Sequence, residues 1–159
     1  MEIYFFRHGP AGSADAWEGS DADRPLTDQG RELTARVVDR LAATGLNVDL
    51  IVTSPYARAV QTAELATKVL VPGGRVEQDD GLRPGFGFST LQRILRSHAD
   101  LNRLMLVGHE GDFTKVIGEM IGGSPGMVLK KSGIALVDVT DSGATDGELR
   151  WLVPPSLLS

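Results

Sequence analysis

The sequence predicts an α/β protein of three layers (α/β/α), in which helices cover both faces of a mainly parallel central sheet. Short apolar runs alternate with amphipathic stretches along most of the chain, which is typical of this class. The length of 159 residues and the hydrophobic content of 42% suit one domain with its own core. We therefore expect a single domain over residues 1–159.

Six segments have the composition of strands. The first is apolar, aromatic and β-branched, and Gly9 and Pro10 follow it closely. The last two could pair as a hairpin, which predicts an antiparallel strand at one edge of the sheet. The predicted strands are residues 1–6, 49–53, 75–78, 103–108, 134–139 and 148–153.

Four helices are predicted between these strands, from apolar residues that recur three or four positions apart. The first three have a recognisable boundary signal, such as a capping residue at the start or a glycine at the end. These signals are Thr27 and Gly45 for the first helix, Pro55 and Pro72 for the second, and Ser89 for the start of the third. The fourth helix is predicted over residues 111–121.

Composition excludes several classes of function. The formal net charge of −5 argues against a nucleic-acid-binding protein. The chain has no cysteine, so a disulfide scaffold, thiolate chemistry and a cysteine-based zinc site are excluded. No apolar run approaches the roughly 20 residues that span a bilayer, and the N-terminus lacks the pattern of a signal peptide. We expect a soluble cytoplasmic protein that needs no cofactor.

Basic residues follow three of the predicted strands. The first strand ends in Arg7-His8-Gly9, the second is followed by Arg58 within one helical turn of Pro55, and a later strand ends in His109-Glu110. Ligand sites of open α/β sheets form beyond the carboxyl ends of the strands. If these strands are neighbours, two arginines and two histidines converge there.

A phosphoryl group is the natural partner of such a cluster, because its oxygens accept the planar fork of arginine. Helices that begin near Pro55 and Glu110 would add the partial positive charge of their N-termini. Two histidines and a carboxylate could also bind zinc, but the adjacent arginines would repel a cation, so we expect no metal. One histidine after one strand is usually only a polar strand end, and coincidence stays open for the whole set.

At these residues the sequence resembles the histidine phosphatase superfamily, which has the phosphoglycerate-mutase-like fold. The matching motifs are "FFRHG" at the start, "TSPYARAVQTAE" from Thr53 to Glu64, "LMLVGHE", and the short element "DADRPLTDQG" from Asp21 to Gly30. They span residues 1–121 in the right order. The chain has no room for the insertions of the larger mutases and sugar phosphatases, so it is most similar to the short SixA-type phosphohistidine phosphatases.

The resemblance implies a role for each residue of the cluster. His8 is the nucleophile that forms a covalent phosphohistidine, and Arg7, Arg58 and His109 bind the phosphoryl oxygens. Arg7 and Arg58 should lower the pKa of His8, and Gly9 should let the chain turn away so that phosphate can approach.

One residue of the family pattern is missing. The glutamate that serves as general acid in larger members is replaced by Pro84. Substitute acids are Glu110, Asp79 and Asp80, of which the last two are better explained as turn residues. A site without a strong acid suits a labile phosphohistidine on a partner protein, which we expect to be the substrate. We also expect small anions of the phosphate or sulfate type to bind in the pocket.

Three alternatives remain open at this point. The chain could be a small-molecule phosphomonoesterase on the same fold, a phosphate- or phosphoprotein-binding module with little turnover, or a structural protein in which the cluster is incidental. The acidic loop around Trp17, with Asp15, Glu18, Asp21 and Asp23, is either a solvated loop, which we favour slightly, or a rim that receives a protein partner. The oligomeric state cannot be inferred from the sequence.

Overall fold

The computed structural model describes residues 1–123, 126–141, 143–144 and 146–159. Six strands form one sheet, and each of the six predicted strand segments lies in it. The expected hairpin of the last two strands is present. The strands are β1 (Glu2–Arg7), β2 (Leu50–Thr53), β3 (Val76–Gln78), β4 (Arg103–Gly108), β5 (Ile134–Val139) and β6 (Gly147–Val153).

The order of the strands is β3-β2-β4-β1-β5-β6, so β4 lies between β2 and β1 although it follows both in sequence. β1 to β4 are parallel, whereas β5 is antiparallel to both of its neighbours, β1 and β6. The sheet is therefore mainly parallel with its mixed part at one edge, which confirms the predicted fold class.

Among the described residues, four α-helices cover the sheet, two on each face. The first two pack with Tyr4 and Phe6 of β1, and the last two pack with Ile3 and Phe5 on the opposite face. The alternation of side chains along β1 thus divides the core into two halves. The helices are α1 (Asp28–Ala43), α2 (Ala57–Leu70), α3 (Phe88–Ser97) and α4 (Asp112–Met120).

Two of the predicted helix starts are wrong by two residues. Pro55 does not open α2, because Tyr56 is the N-cap and the helix begins at Ala57. Ser89 does not cap α3, since Gly87 is its N-cap and Ser89 lies inside the first turn. Thr27 caps α1 as predicted, and its hydroxyl accepts a hydrogen bond of 3.0 Å from the Gly30 amide.

The register of the sheet sets the position of the predicted cluster. Arg7 of β1 lies opposite Gly108 of β4, and Thr53 of β2 lies opposite Val107. The three strands therefore end at nearly the same level. None of the described helices is long and apolar enough to cross a bilayer.

Candidate active site

The ends of β1, β2 and β4 bring His8, Ser54 and His109 to one edge of the sheet. The His8 amide donates to Gly108 at 3.0 Å, and the Ser54 amide donates to Val107 at 2.9 Å, so the sheet continues for one more residue on both strands. The rings of His8 and His109 lie with their centroids 5.3 Å apart. The sequence analysis predicted this convergence of residues at the ends of neighbouring strands.

His8 is held in one tautomer by two contacts. Its Nδ1 lies 2.7 Å from the carbonyl oxygen of Gly9, which can only accept a hydrogen bond, so Nδ1 carries the proton. Its Nε2 accepts a hydrogen bond of 3.2 Å from Nε of Arg58. The lone pair of His8 is therefore on Nε2, directed toward the basic residues.

The pKa of His8 is lowered to about 3. Burial is the largest cause, because the ring is only 7% exposed and its charged form loses water. Repulsion by His109, Arg58 and Arg7 adds to the effect, while the Gly9 carbonyl opposes it. The arginines thus act in the predicted direction, but burial outweighs them.

His109 is fixed by a serine on the neighbouring strand. Its Nε2 lies 2.9 Å from Oγ of Ser54, and the same oxygen accepts a 3.3 Å hydrogen bond from the Tyr56 amide. The Tyr56 ring packs edge-on against His109 at 5.2 Å. Burial, followed by repulsion from Arg58, lowers the pKa of His109 to about 4. With Nε2 engaged, Nδ1 is the ring nitrogen that an anion can contact.

Arg58 is buried and bound to the loop that follows β1. Its Nη1 donates to the backbone carbonyl of Asp21 at 2.8 Å, and its Nη2 lies 3.1 Å from the Asp21 carboxylate. The other carboxylate oxygen accepts from Arg24 at 2.8 Å. Asp21 therefore holds two arginines at the edge of the site, a role that the sequence analysis did not assign.

Arg7 is oriented by a backbone carbonyl from a distant part of the chain. Its Nη1 donates to Leu129 at 2.8 Å, and burial lowers the pKa of its guanidinium. The Glu110 carboxylate opposes that shift, so it lies close enough to act on Arg7. Glu110 also accepts from the Leu129 amide at 3.2 Å and from the Thr114 hydroxyl. Arg7 and Glu110 therefore both form hydrogen bonds with backbone atoms of Leu129.

The turn before β5 forms another wall of the site. The Ser132 amide donates to the His8 carbonyl at 3.2 Å, and the Arg7 amide donates to Gly133 at 3.0 Å. Lys131 in this turn has a lowered pKa, caused by partial burial and by repulsion from Arg7, Arg24 and Arg58. Its ammonium therefore feels the positive charge of these three arginines. No local pattern in the sequence pointed to this lysine.

The structure shows a packing reason for a glycine at position 9. A Cβ atom at this position would lie 2.2 Å from Oγ1 of Thr34 on α1, so only glycine allows the helix to pack this closely. The Gly9 amide donates to Thr62 at 3.0 Å, and its carbonyl orients His8. Gly9 acts on the site through its backbone.

The other two candidate acids are engaged elsewhere. Both oxygens of Asp79 accept from Arg93 on α3, at 2.7 and 2.9 Å, and Asp80 pairs with Arg83 at 3.0 Å. His98, the third histidine, lies at the end of α3 near Glu77 of β3. Of the three carboxylates, only Glu110 shares a hydrogen-bond partner, Leu129, with a basic residue of the site.

The site as a whole is built for an anion. Arg7, Arg58 and the neighbouring Arg24 and Lys131 supply positive charge, while both histidines are neutral near pH 7 because of their low pKa values. In the part of the chain that the structure describes, no three histidine, aspartate or glutamate side chains are grouped so that they could bind a metal ion. A tetrahedral oxyanion fits this set of donors.

Comparison with known proteins identifies the family. Residues 3–87 match the model of the histidine phosphatase superfamily, branch 1, and this segment contains Arg7, His8 and Arg58. The chain belongs to the histidine phosphatase superfamily. The fold is that of this superfamily's short members, and membership supports phosphatase activity.

Within the family, the chain is similar to SixA proteins. It is 28% identical to the phosphohistidine phosphatase SixA of Escherichia coli K12, over 98% of this chain and 94% of the relative. A solved structure of the protein histidine phosphatase SixA with tungstate superposes with a TM-score of 0.88 at 25% identity, and the match covers all of both chains. An uncharacterized protein of Picosynechococcus is 40% identical over 97% of this chain and all of the relative.

Proposed function

We propose that the chain hydrolyses phosphohistidine on a protein, through a covalent phosphohistidine on His8 and without a metal ion. The observation that supports this most directly is the state of His8, whose Nε2 lone pair faces Arg58 while Gly9 holds the proton on Nδ1. With a pKa of about 3, the ring is neutral near pH 7. A neutral, oriented imidazole is the form that attacks phosphorus.

The basic residues bind the phosphoryl group in this proposal. Arg7, Arg58 and His109 contact its oxygens, and Gly9 contributes by holding the nucleophile. Arg58 now bonds to His8 Nε2, so an arriving phosphoryl group exchanges that contact for one to its own oxygen. Phosphoryl transfer depends mainly on positioning and charge stabilisation, which such a pocket supplies.

The reaction has two steps. In the first, Nε2 of His8 forms a bond to phosphorus while the phosphorus–nitrogen bond of the substrate breaks, and the departing imidazole takes up a proton. In the second, water attacks the phosphoryl group on His8, inorganic phosphate leaves, a proton passes to solvent and neutral His8 returns. The Gly9 carbonyl stabilises the positive ring of the intermediate through Nδ1–H.

Two observations favour phosphohistidine as the substrate. A phosphoimidazole leaves as a neutral ring after protonation and needs less acid catalysis than an alkoxide, and Pro84 stands where larger family members have their acid. The similarity to SixA, a phosphohistidine phosphatase by name, points the same way.

Glu110 is the candidate proton donor. Its Oε2 is buried and has no hydrogen-bond partner among the described residues. Glu110→Gln keeps the shape of the side chain, so a role as acid predicts a larger loss of activity on the phosphohistidine carrier protein than on para-nitrophenyl phosphate, whose nitrophenolate leaves without a proton. Equal losses with both substrates would instead assign Glu110 to holding Leu129 and Arg7.

The test compares wild type with His8→Ala on a phosphohistidine-bearing carrier protein and on para-nitrophenyl phosphate, both in EDTA. We expect wild type to remove phosphate from the carrier, and His8→Ala to be slower by at least about a thousandfold. Wild type quenched in alkaline denaturant should retain phosphate that is stable in alkali and released by acid, whereas His8→Ala should retain none. Circular dichroism of both proteins checks that the substitution leaves the fold intact.

Other outcomes would point to the alternatives. Turnover of the small ester without turnover of the carrier would indicate a phosphomonoesterase. Binding of phosphate by both proteins with no hydrolysis by either would indicate a binding module. Loss of stability in His8→Ala without any wild-type activity or binding would indicate a structural role.

A further inference from the structure

The loop between β1 and α1 forms a cavity beside the basic site. Its volume is about 370 Å³. Trp17, Pro25 and Leu26 supply its apolar surface, and Gly12, Arg24 and Asp28 complete its wall. Trp17 is 39% exposed and is the largest exposed apolar side chain among the described residues. A tryptophan with this much surface in water marks a candidate binding surface.

Hydrogen bonds hold this loop in shape. The indole N–H of Trp17 donates to the Ser20 carbonyl at 2.9 Å, and the Asp23 amide donates to the same residue at 2.9 Å. The Arg24 guanidinium donates to the Gly12 carbonyl, across the mouth of the loop. The cavity is therefore preformed, so a ligand need not first order it.

Arg24 connects the cavity to the phosphoryl site. It lines the cavity and pairs with Asp21, which pairs with Arg58, and Arg58 reaches Nε2 of His8. This chain of contacts places the wall of the cavity next to the arginines of the basic site.

Acidic residues flank the lining residues along the chain, and one of them, Asp28, lines the cavity itself. Asp15, Glu18, Asp23 and Asp28 are all exposed. Among the residues that the structure describes, none of these four carboxylates lies within 4 Å of a basic nitrogen, in contrast to Asp21. Their charge is uncompensated, so it repels small phosphate esters and attracts a basic segment.

We propose that this cavity binds an apolar side chain next to the phosphohistidine of the protein substrate, in a segment that carries lysine or arginine. The proposal deepens the proposed function and rests on it for the identity of the phosphorylated residue. The cavity recognises the polypeptide, whereas the arginines recognise the phosphoryl group. Specificity thus comes from surface that a small ester does not touch.

The test uses Trp17→Ala and two synthetic phosphohistidine peptides, one with leucine and lysine beside the histidine and one with alanine and glutamate there. We expect Trp17→Ala to raise KM for the first peptide by about tenfold, which corresponds to losing most of one buried apolar side chain. Activity on para-nitrophenyl phosphate should stay within about twofold. Val69→Ala, which truncates an exposed apolar side chain on α2, should change neither.

A charge exchange provides a second readout. Asp15→Lys combined with Glu18→Lys should reduce the preference for the lysine peptide over the glutamate peptide, and added salt should reduce the preference of wild type in the same way. If the preference is unchanged by both treatments, the acidic rim has no part in recognition and the proposal is wrong.

Binding of the unphosphorylated leucine-lysine peptide separates this proposal from the proposed function. Fluorescence anisotropy should show tighter binding to wild type than to Trp17→Ala, whether or not the phosphorylated peptide is hydrolysed. Equal binding to both proteins overturns the docking proposal and leaves the proposed function standing. Clear binding without hydrolysis of either peptide overturns the proposed function and leaves the docking surface.

Discussion

At the scale of single residues, the site depends on groups that contact its histidines and arginines from outside. Ser54 contacts His109, Gly9 fixes the His8 tautomer, Asp21 holds Arg58, and Leu129 holds Arg7. Gly9 and Leu129 act only through backbone atoms, so the identity of their side chains does not predict these contacts. Substitutions at the partners should change the site without removing any group that contacts the substrate.

Ser54→Ala should lower kcat/KM about fivefold to tenfold, because one hydrogen bond that orients a buried ring is worth roughly 1 kcal/mol. Steady-state kinetics on para-nitrophenyl phosphate measures this. Ser97→Ala removes an exposed hydroxyl of α3 that bonds only to its own helix, so it should have no effect on kinetics. Identical kinetics for Ser54→Ala and wild type would mean that packing alone orients His109.

Lys131→Gln should weaken inhibition by inorganic phosphate about threefold to fivefold. The reason is that Lys131 adds positive charge to a group that already contains Arg7, Arg24 and Arg58, near a partly hydrated surface. Product-inhibition constants measure this directly. Lys130→Gln, at the preceding position of the same turn, should give the wild-type constant. The prediction fails if both lysine variants behave alike.

At the scale of elements, the sequence was sufficient for the strands and for the residues directly after them. Strand signals are local, and the parallel arrangement brings strand ends together whatever the loops do. Asp21 and the turn 129–133 could not be predicted, because their contacts join distant parts of the chain, as in the 3.0 Å contact between Thr34 and Ser132. The predicted helix starts at Pro55 and Ser89 were wrong, because local propensity does not determine where the preceding loop ends. α2 begins after Pro55, and α3 begins before Ser89.

Gly30→Ala should disturb the placement of α1 against the loop that follows β1. A Cβ atom there would lie 2.0 Å from the carbonyl oxygen of Pro10, so the helix or the segment next to His8 must move. We expect a loss of about 2 kcal/mol or more in the free energy of unfolding, together with reduced activity. Urea denaturation and kinetics measure the two effects.

Gly87→Ala is the control for this substitution, because nothing lies within 4 Å of an added Cβ at that position. It should cost about 1 kcal/mol or less in the free energy of unfolding, through the weaker N-cap of α3. A Gly30→Ala protein as stable and active as the Gly87→Ala protein would show that α1 can shift freely relative to His8.

At the scale of the whole molecule, the two buried histidines link folding to pH. Their pKa values are about 3 and about 4 in the folded protein, below the value of about 6.5 expected in the unfolded chain. Above pH 6.5 neither state binds these protons, so the full stability is present. As the pH falls below 6.5, only the unfolded chain takes up protons, and stability is lost until the folded pKa values are reached.

His8→Gln should therefore lose less stability than wild type between pH 7 and pH 5, by about 2 kcal/mol. Urea-unfolding free energies at the two pH values measure the difference. The double substitution His8→Gln with His109→Gln should reduce the loss by roughly twice as much. Equal losses in wild type and His8→Gln would contradict the lowered pKa of His8.

The central position of β4 has a consequence for biosynthesis. β1 leaves the ribosome before the other five strands, yet its two neighbours in the sheet are β4 and β5, which begin at Arg103 and Ile134. Until β4 has been synthesised, the apolar residues of β1 have no strand beside them and remain a target for chaperones. β1 can join β2 in a stable sheet only after β4 has inserted between them. The native core of the nascent chain therefore forms late, and it forms in nearly one step.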